Sequence, residues 1–300
     1  MEALVRILLR VLGCLPLLLL HASAWLLGNL LWLFPNKLRR LTQAHLHFCL
    51  LELSADQRRR IARQSLMHSM QAVMESPTIW FGPRWHLRRW LRNPAAEQQL
   101  KSLRANGKGV ILLCPHIGSW ELAGMFCAAN GPMTSLYKPQ KGVMDTLIHE
   151  GRTRLGAQLV PTAAIGVKSL LQALKKGEMI GILPDHDPPE GSGVFAPFFG
   201  VPAHTTELVT KLAARTGAPV WFCLARRRDW GMGFEITLQA APAEVAEATH
   251  GVAALNRAIE DVIRQMPEQY WWGYERYRRL PTGAPSPYAS SFVPEIAPPA

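Results

Sequence analysis

Acidic side chains are scarce. Against 33 Lys and Arg the chain has only 22 Asp and Glu, a formal charge of +11 that favours anionic partners. Nucleic acid, an anionic leaflet, a phosphorylated lipid and an acidic carrier protein all qualify, and charge alone does not choose among them. Cysteine is sparse as well: Cys14, Cys49, Cys114, Cys127 and Cys223 form no Cys-x-x-Cys pair. An odd number of thiols in apolar runs, without ligand spacing, argues against a disulfide scaffold and against a zinc site. They read as reduced, buried thiols on the cytosolic side. No Gly-x-Ser-x-Gly elbow is present, so nothing points to a covalent enzyme intermediate. Internal repeats are absent. From Pro281 onward six prolines and one charge in twenty residues predict a disordered tail over 281–300.

The longest stretch without charge runs from Val11 to Asn36, 26 residues dominated by Leu. That exceeds the roughly 20 residues a helix needs to cross a bilayer. Arg6, Arg10 and Ala22-Ser23-Ala24 have the layout of a signal peptide. The apolar run outlasts Ala24, however, through Trp25, Leu26, Leu27, Leu30, Leu31, Trp32 and Phe34, which favours a retained N-terminal membrane-anchor helix over 1–36. Trp32 and Phe34 before Lys37, Arg39 and Arg40 resemble an interfacial end. Gly13, Pro16 and His21 leave open a bent, half-inserted helix, and flanking charges do not fix its orientation.

Residues 38–78 carry apolar positions three and four apart and read as helices. Pro83 opens a short helix closed by Pro94, with Arg84, Arg88 and Arg92 on one face; that face suits either a membrane interface or plain solvent. After Gly107 the pattern changes. The runs 109–114, 179–183 and 220–224 are continuous, apolar and of strand length, and 234–238 alternates like an edge strand. Helical stretches fall at 121–129, 167–176, 205–216 and 252–266. Strands alternating with helices predict an α/β domain over 37–280 with a mostly parallel sheet flanked by helices.

Cys114-Pro-His116-Ile-Gly118-Ser119-Trp120-Glu121 follows a buried strand and opens a helix. His116 then lies in the turn, Ser119 caps the helix, and Glu121 in its first turn can reach back to the imidazole. Glu121 would hold one ring nitrogen while the other takes a proton from a hydroxyl. The logic is that of a hydrolase triad with the nucleophile supplied by the substrate.

His116-x4-Glu121 after an apolar strand resembles the His-x4-Asp/Glu motif of glycerolipid acyltransferases. Four further elements resemble one branch, the lipid A biosynthesis lauroyl/myristoyl acyltransferases: Tyr137-Lys138-Pro139, Arg152-Thr153-Arg154, Pro184-Asp185-His186-Asp187 and Val194 to Gly200. Pro267-Glu268-Gln269-Tyr270-Trp271-Trp272 closes the set. Lys138 stands where the branch carries Arg, which keeps the charge and loses the bidentate fork. Glu150 to Arg154 superficially resembles the Glu-Gly-Thr-Arg block of glycerol-phosphate acyltransferases, but lies too near His116 and has an inserted Arg.

The resemblance implies acyl transfer from an acyl thioester, on acyl carrier protein, to a hydroxyl of a lipid A precursor. His116 and Glu121 would be catalytic, and no metal or organic cofactor is implied. Lys138, Arg152 and Arg154 would hold phosphate or carboxylate, with a surface ion pair the alternative for each Arg. Asp185 and Asp187 would bind sugar hydroxyls or pair with Arg152, or simply shape a turn before Pro188 and Pro189. The loop from Val194 to Gly200 either lines an acyl groove or packs the core, and Tyr270, Trp271 and Trp272 pack the last helix. Neither His186 nor His204 is assigned a metal. Partners would be an acyl thioester donor, an anionic glycolipid and a membrane, with no nucleic acid. Arg226, Arg227 and Arg228 fit an acidic carrier protein. The site would lie on the cytoplasmic face of a bacterial inner membrane. Rival readings are a membrane esterase or thioesterase, transfer to another (lyso)lipid, and a non-enzymatic basic adaptor.

Overall fold

The apolar runs near residues 110, 180 and 220 become neighbouring strands because each must bury both faces. The computed structural model describes residues 2–288. Six helices come first: α1 (Glu2–Gly13), α2 (Leu17–Leu33), α3 (Lys37–Cys49), α4 (Ala55–Phe81), α5 (Arg84–Leu91) and α6 (Pro94–Arg104). The α/β part begins with β1 (Val110–Leu113), α7 (Trp120–Ala129), β2 (Met133–Tyr137), α8 (Val143–Thr153) and β3 (Gln158–Pro161). It continues through α9 (Ala164–Lys175), β4 (Met179–Ile182), β5 (Gly193–Phe198), β6 (Val201–Thr206) and α10 (Leu208–Thr216). The last elements are β7 (Val220–Arg227), β8 (Phe234–Ala240) and α11 (Gly251–Gln265).

The main sheet has the order β3-β2-β4-β1-β7-β8, parallel except for the antiparallel edge strand β8. Side chains alternate along each strand, so β1 feeds two cores. Ile111 and Leu113 meet Leu170 of α9, Leu212 of α10 and Ile259 of α11 in one cluster. Val110 and Leu112 join Leu87 of α5, Leu100 of α6 and Phe126 of α7 in the other. The α/β class with a mostly parallel sheet is therefore observed.

Three expectations change. First, among the described residues no single helix is long and apolar enough to cross a membrane; Leu4–Gly13 and Leu17–Leu33 form a pair bent by 112°. Pro16 lacks the N–H that would continue the first helix and caps the second. The buried stripe of α2, Leu17, Leu20, His21, Ala24, Gly28 and Trp32, packs against α4, and a Cβ on Gly28 would stand 2.5 Å from the Met67 backbone. Its other face leaves Leu18, Leu19, Trp25, Leu26, Leu30 and Leu33 exposed. Second, Val194 to Gly200 is not a loop but strand β5 and the turn of the β5–β6 hairpin, made by Phe199 (φ 48°) and Gly200 (φ 76°). Positive φ at both turn positions matches the twist of a tight hairpin. Third, the tail is anchored at its start: the Tyr288 hydroxyl hydrogen-bonds His45 and accepts the Tyr277 amide. Residues 289–300 lie outside the described residues.

Candidate active site

Because β1 and β4 pair in parallel with Leu113 opposite Ile182, residues three positions beyond each strand also meet. Those residues are His116 and Asp185. The Asp185 carboxylate accepts the His116 backbone N–H at 2.9 Å and binds ring Nδ1 at 2.9 Å. Nδ1 must carry the proton to donate to a carboxylate, which leaves Nε2 with its lone pair. Nε2 has no protein partner among the described residues. Burial alone would raise the Asp185 carboxyl, but the neighbouring His116 and its hydrogen bonds hold it well below the usual range. The carboxylate is enclosed, while the His116 side chain keeps 13% of its surface accessible.

Aromatic rings pack against the imidazole. His186 stacks on it with centroids 3.6 Å apart and planes within 3°, and Tyr274 stacks on the far side of His186 at 3.7 Å. The Trp120 ring is tilted against the imidazole, with centroids 5.3 Å apart. Burial and the adjacent His116 push His186 down to about 3, with Arg276 and Arg278 acting in the same direction. His186 is therefore a neutral ring at physiological pH.

The turn carrying His116 is clamped from below. Gly118 has φ +58°, and a Cβ there would stand 2.3 Å from the Ala225 carbonyl, so only glycine fits. The Gly118 and Ser119 amides donate to the carbonyls of Gln269 and Ala225, and the Trp271 amide donates to the His116 carbonyl. Ser119 does not cap α7; its hydroxyl donates to Glu75 at 2.8 Å. Glu75 on α4 is fully buried and also binds His21 of α2 and both Nε and Nη2 of Arg227. Burial would lift its pKa, but Arg227 and His21 bring it to about 2. Arg227 is thus interior and cannot belong to a basic surface. Tyr270, Trp271 and Trp272 follow the 3-10 turn Pro267–Gln269, and Tyr270 bridges Ile117 directly. They pack against the turn that carries His116 as well as the domain.

The remaining expected site residues divide. Glu121 does sit in the first turn of α7, but its carboxylate is not the ring partner of His116. It accepts Nε of Arg152 at 3.0 and 3.1 Å, a shorter contact from Nη2, and the Trp80 indole N–H at 3.0 Å. A carboxylate in this half-closed pocket takes the strongest donors within reach, and a guanidinium outcompetes an imidazole. Arg152 is consequently engaged by Glu121 and not by Asp185 or Asp187. Arg154 donates to the carbonyls of Ile79 and Gly82 at 2.9 Å each, closing the C-terminal end of α4. Lys138 follows β2 and is exposed, with β4 intervening between its strand and β1. Asp187 is buried and binds His204 Nδ1 at 2.7 Å, Arg278 and Arg279. Behind α7, a cavity lined by Trp120, Met125, Met133, Leu136, Leu159 and Ile182 has the Glu121–Arg152 pair in its wall.

With this geometry described, comparison with known proteins gives consistent results. A family model described as bacterial lipid A biosynthesis acyltransferase matches residues 1–279. The chain is 30% identical over 268 residues to the lipid A biosynthesis lauroyltransferase of Escherichia coli strain K12, covering 87% of this chain and 86% of that protein. It is 27% identical over 261 residues to the palmitoleoyltransferase of the same strain, covering 85% and 83%. A phosphatidylinositol mannoside acyltransferase of Mycobacterium tuberculosis is 27% identical over 184 residues, 57% of each chain.

Proposed function

The chain belongs to the bacterial lipid A biosynthesis acyltransferase family, and from that membership we propose a membrane-associated O-acyltransferase that moves a fatty acyl group from an acyl thioester to a hydroxyl of a lipid A precursor. The donor is acyl carrier protein or an equivalent thioester, and the acceptor is an anionic glycolipid. One observation carries the mechanism: the His116 imidazole is fixed at Nδ1 by buried Asp185 and free at Nε2.

Nε2 takes the proton of the acceptor hydroxyl as its oxygen bonds to the thioester carbonyl carbon. The tetrahedral intermediate then breaks its C–S bond, and the imidazolium returns the proton to the departing thiolate. Asp185 sets the tautomer and stabilises the imidazolium; such positioning contributes roughly 10²–10⁴-fold. Glu121 acts beside this pair as a second carboxylate, its charge balanced by Arg152. Since the Gly118 and Ser119 amides are committed to carbonyls, the oxyanion is met by the uncapped first-turn amides of α7. The apolar cavity behind Trp120, about 60 Å³, has room for only a few methylenes of an acyl tail.

The apolar outer faces of α1 and α2 support a half-inserted anchor on the cytoplasmic leaflet of the inner membrane. Spanning would pull His21 away from Glu75 and leave a buried ion cluster incomplete.

The test is transfer by purified full-length protein in lipid nanodiscs, with acyl carrier protein thioester and an under-acylated lipid A precursor, read by mass spectrometry. Wild type should add one acyl group and His116→Ala should not. Fatty acid release at the same rate with and without acceptor would overturn the transferase reading in favour of a thioesterase.

A further inference from the structure

A polyanionic acceptor and a phosphopantetheine-borne donor both bring phosphate to this site, and the arginines expected to receive it are occupied. Arg152 is bound edge-on by Glu121, and Arg154 is spent on the end of α4. Lys138 follows a strand that is not the neighbour of β1. A different cationic group is linked to the catalytic histidine through the segment Asp185-His186-Asp187.

The segment Asp185-His186-Asp187 leaves β4 with three consecutive contacts. Asp185 binds the His116 ring, His186 stacks on it, and Asp187 binds Arg278 and Arg279. Asp187 is enclosed, whereas the two arginine side chains keep 42% and 33% of their surface accessible. Arg278 engages the carboxylate through Nε, while Arg279 Nη1 donates to the Pro188 carbonyl at 2.5 Å and reaches the carboxylate at 3.4 Å, which leaves further N–H groups of both guanidiniums for another ligand. One carboxylate thus faces two arginines and His204, an arrangement that orients the cations without using up their charge. The Tyr274 hydroxyl accepts the Asp187 amide at 3.1 Å while its ring stacks on His186, tying this cluster to the catalytic imidazole.

The neighbours of His116 also differ in character. Trp120, tilted against the ring at 5.3 Å, lines the apolar cavity, and His186, stacked on it at 3.6 Å, precedes the Asp187 that binds the arginines. An amphipathic substrate reacting at Nε2 therefore finds apolar lining by way of Trp120 and cationic groups by way of Asp187.

We propose that Arg278 and Arg279, held by Asp187, form a phosphate-binding site beside the catalytic histidine. This rests on the acyltransferase reading above. The phosphate is a phosphomonoester of the acceptor or the phosphodiester of the donor's phosphopantetheine arm.

Full-length Arg278→Gln, Arg279→Gln and the double variant would be assayed with four substrate pairs. The acceptor is phosphorylated or enzymatically dephosphorylated, and the donor is acyl carrier protein thioester or acyl-N-acetylcysteamine, which lacks phosphate. Loss of one charge-assisted contact should raise KM about 10- to 100-fold for the phosphate-bearing partner. The KM of its phosphate-free counterpart should change little, and Arg→Lys should restore part of the loss. If the effect follows the acceptor, the site reads the lipid; if it follows the donor, it reads the carrier arm. Equal losses with phosphate-free substrates on both sides, or no loss at all, would overturn the site. Equilibrium binding of the phosphorylated acceptor to the same variants gives a readout independent of turnover. Wild type that binds the acceptor yet transfers nothing would instead sink the acyltransferase reading.

Discussion

Replacing Asp185 with Asn separates the structure's assignment of the ring partner from the one suggested by spacing. Asp185 contributes two hydrogen bonds of 2.9 Å to His116 from a carboxylate with no accessible surface. Asn keeps the volume and one acceptor for the backbone amide, but loses the charge that stabilises the imidazolium. A charge-assisted hydrogen bond contributes about 1.5–3 kcal/mol, or roughly a 10- to 150-fold fall in turnover. If the new amide turns its NH₂ toward Nδ1, the proton moves to Nε2 and the loss approaches about 10⁴-fold, as a wrong tautomer produces elsewhere. The assay is single-turnover transfer in nanodiscs with both substrates saturating, with thermal unfolding followed in parallel. Glu121→Gln should lower turnover less, because no direct bond joins Glu121 to the ring. His116→Ala combined with Asp185→Asn should be little worse than His116→Ala alone, since Asp185 acts through the imidazole. Near-normal turnover by Asp185→Asn, or a larger loss from Glu121→Gln, would refute the assignment.

Further outcomes follow from the packing. Arg154→Ala removes donors to the last carbonyls of α4 and should cost roughly 1–3 kcal/mol of stability with the acceptor KM unchanged; a raised KM at unchanged Tm would restore it as an anion ligand. Glu75→Gln strands Arg227 without its charge partner in the interior and should destabilise by about 3–5 kcal/mol in denaturant titration. Because Glu75 titrates near 2 against a reference of 4.5, its stabilising contribution, on the order of 3 kcal/mol, is fully present above about pH 4.5. That contribution is lost as pH falls toward 2, and an acid unfolding curve identical in Glu75→Gln and wild type would contradict it. Leu19→Glu with Leu26→Glu alters only exposed positions of α2, so the chain should leave the membrane fraction while Tm stays within about 4 °C. Deleting 1–36 should instead unfold the protein, because it uncovers the α4 face beneath Leu20, Ala24 and Trp32; a soluble, cooperatively folded product would show the anchor to be separable.

Periodicity sufficed for the long or fully apolar elements. The strands around 110, 180 and 220 and the helix at 251–265 were legible because burial on one or both faces leaves a compositional mark. Met133–Tyr137 and Gln158–Pro161 were not, since Thr134 and Ser135 interrupt the first and the second is a partly exposed edge. The β5–β6 hairpin hid behind Pro197 and Pro202, which suggest a loop yet are tolerated in a two-stranded ribbon. Glu75 left no mark either. It sits in a helix of ordinary amphipathic pattern, and only the convergence of α2, α7 and β7 gives it partners.

His116 was legible because a strand, a turn and a helix start are local features. Its partner was not, because two carboxylates competed and sequence distance favoured the wrong one for direct contact. Glu121 is five residues from His116 and Asp185 is 69 away, yet the parallel register of β1 against β4 makes 113 and 182 neighbours. Equal exits of three residues then bring the imidazole and the carboxylate together at the C-terminal edge of the sheet, where α/β folds gather ligands. Glu121, rising on the first turn of α7, instead faces α8 and takes Arg152. The same register explains why His186 matters despite lacking any ligand spacing: a residue following the ring partner is carried onto the ring's face. Motif spacing along the chain thus located the candidate histidine, while strand pairing across the sheet determined what holds it.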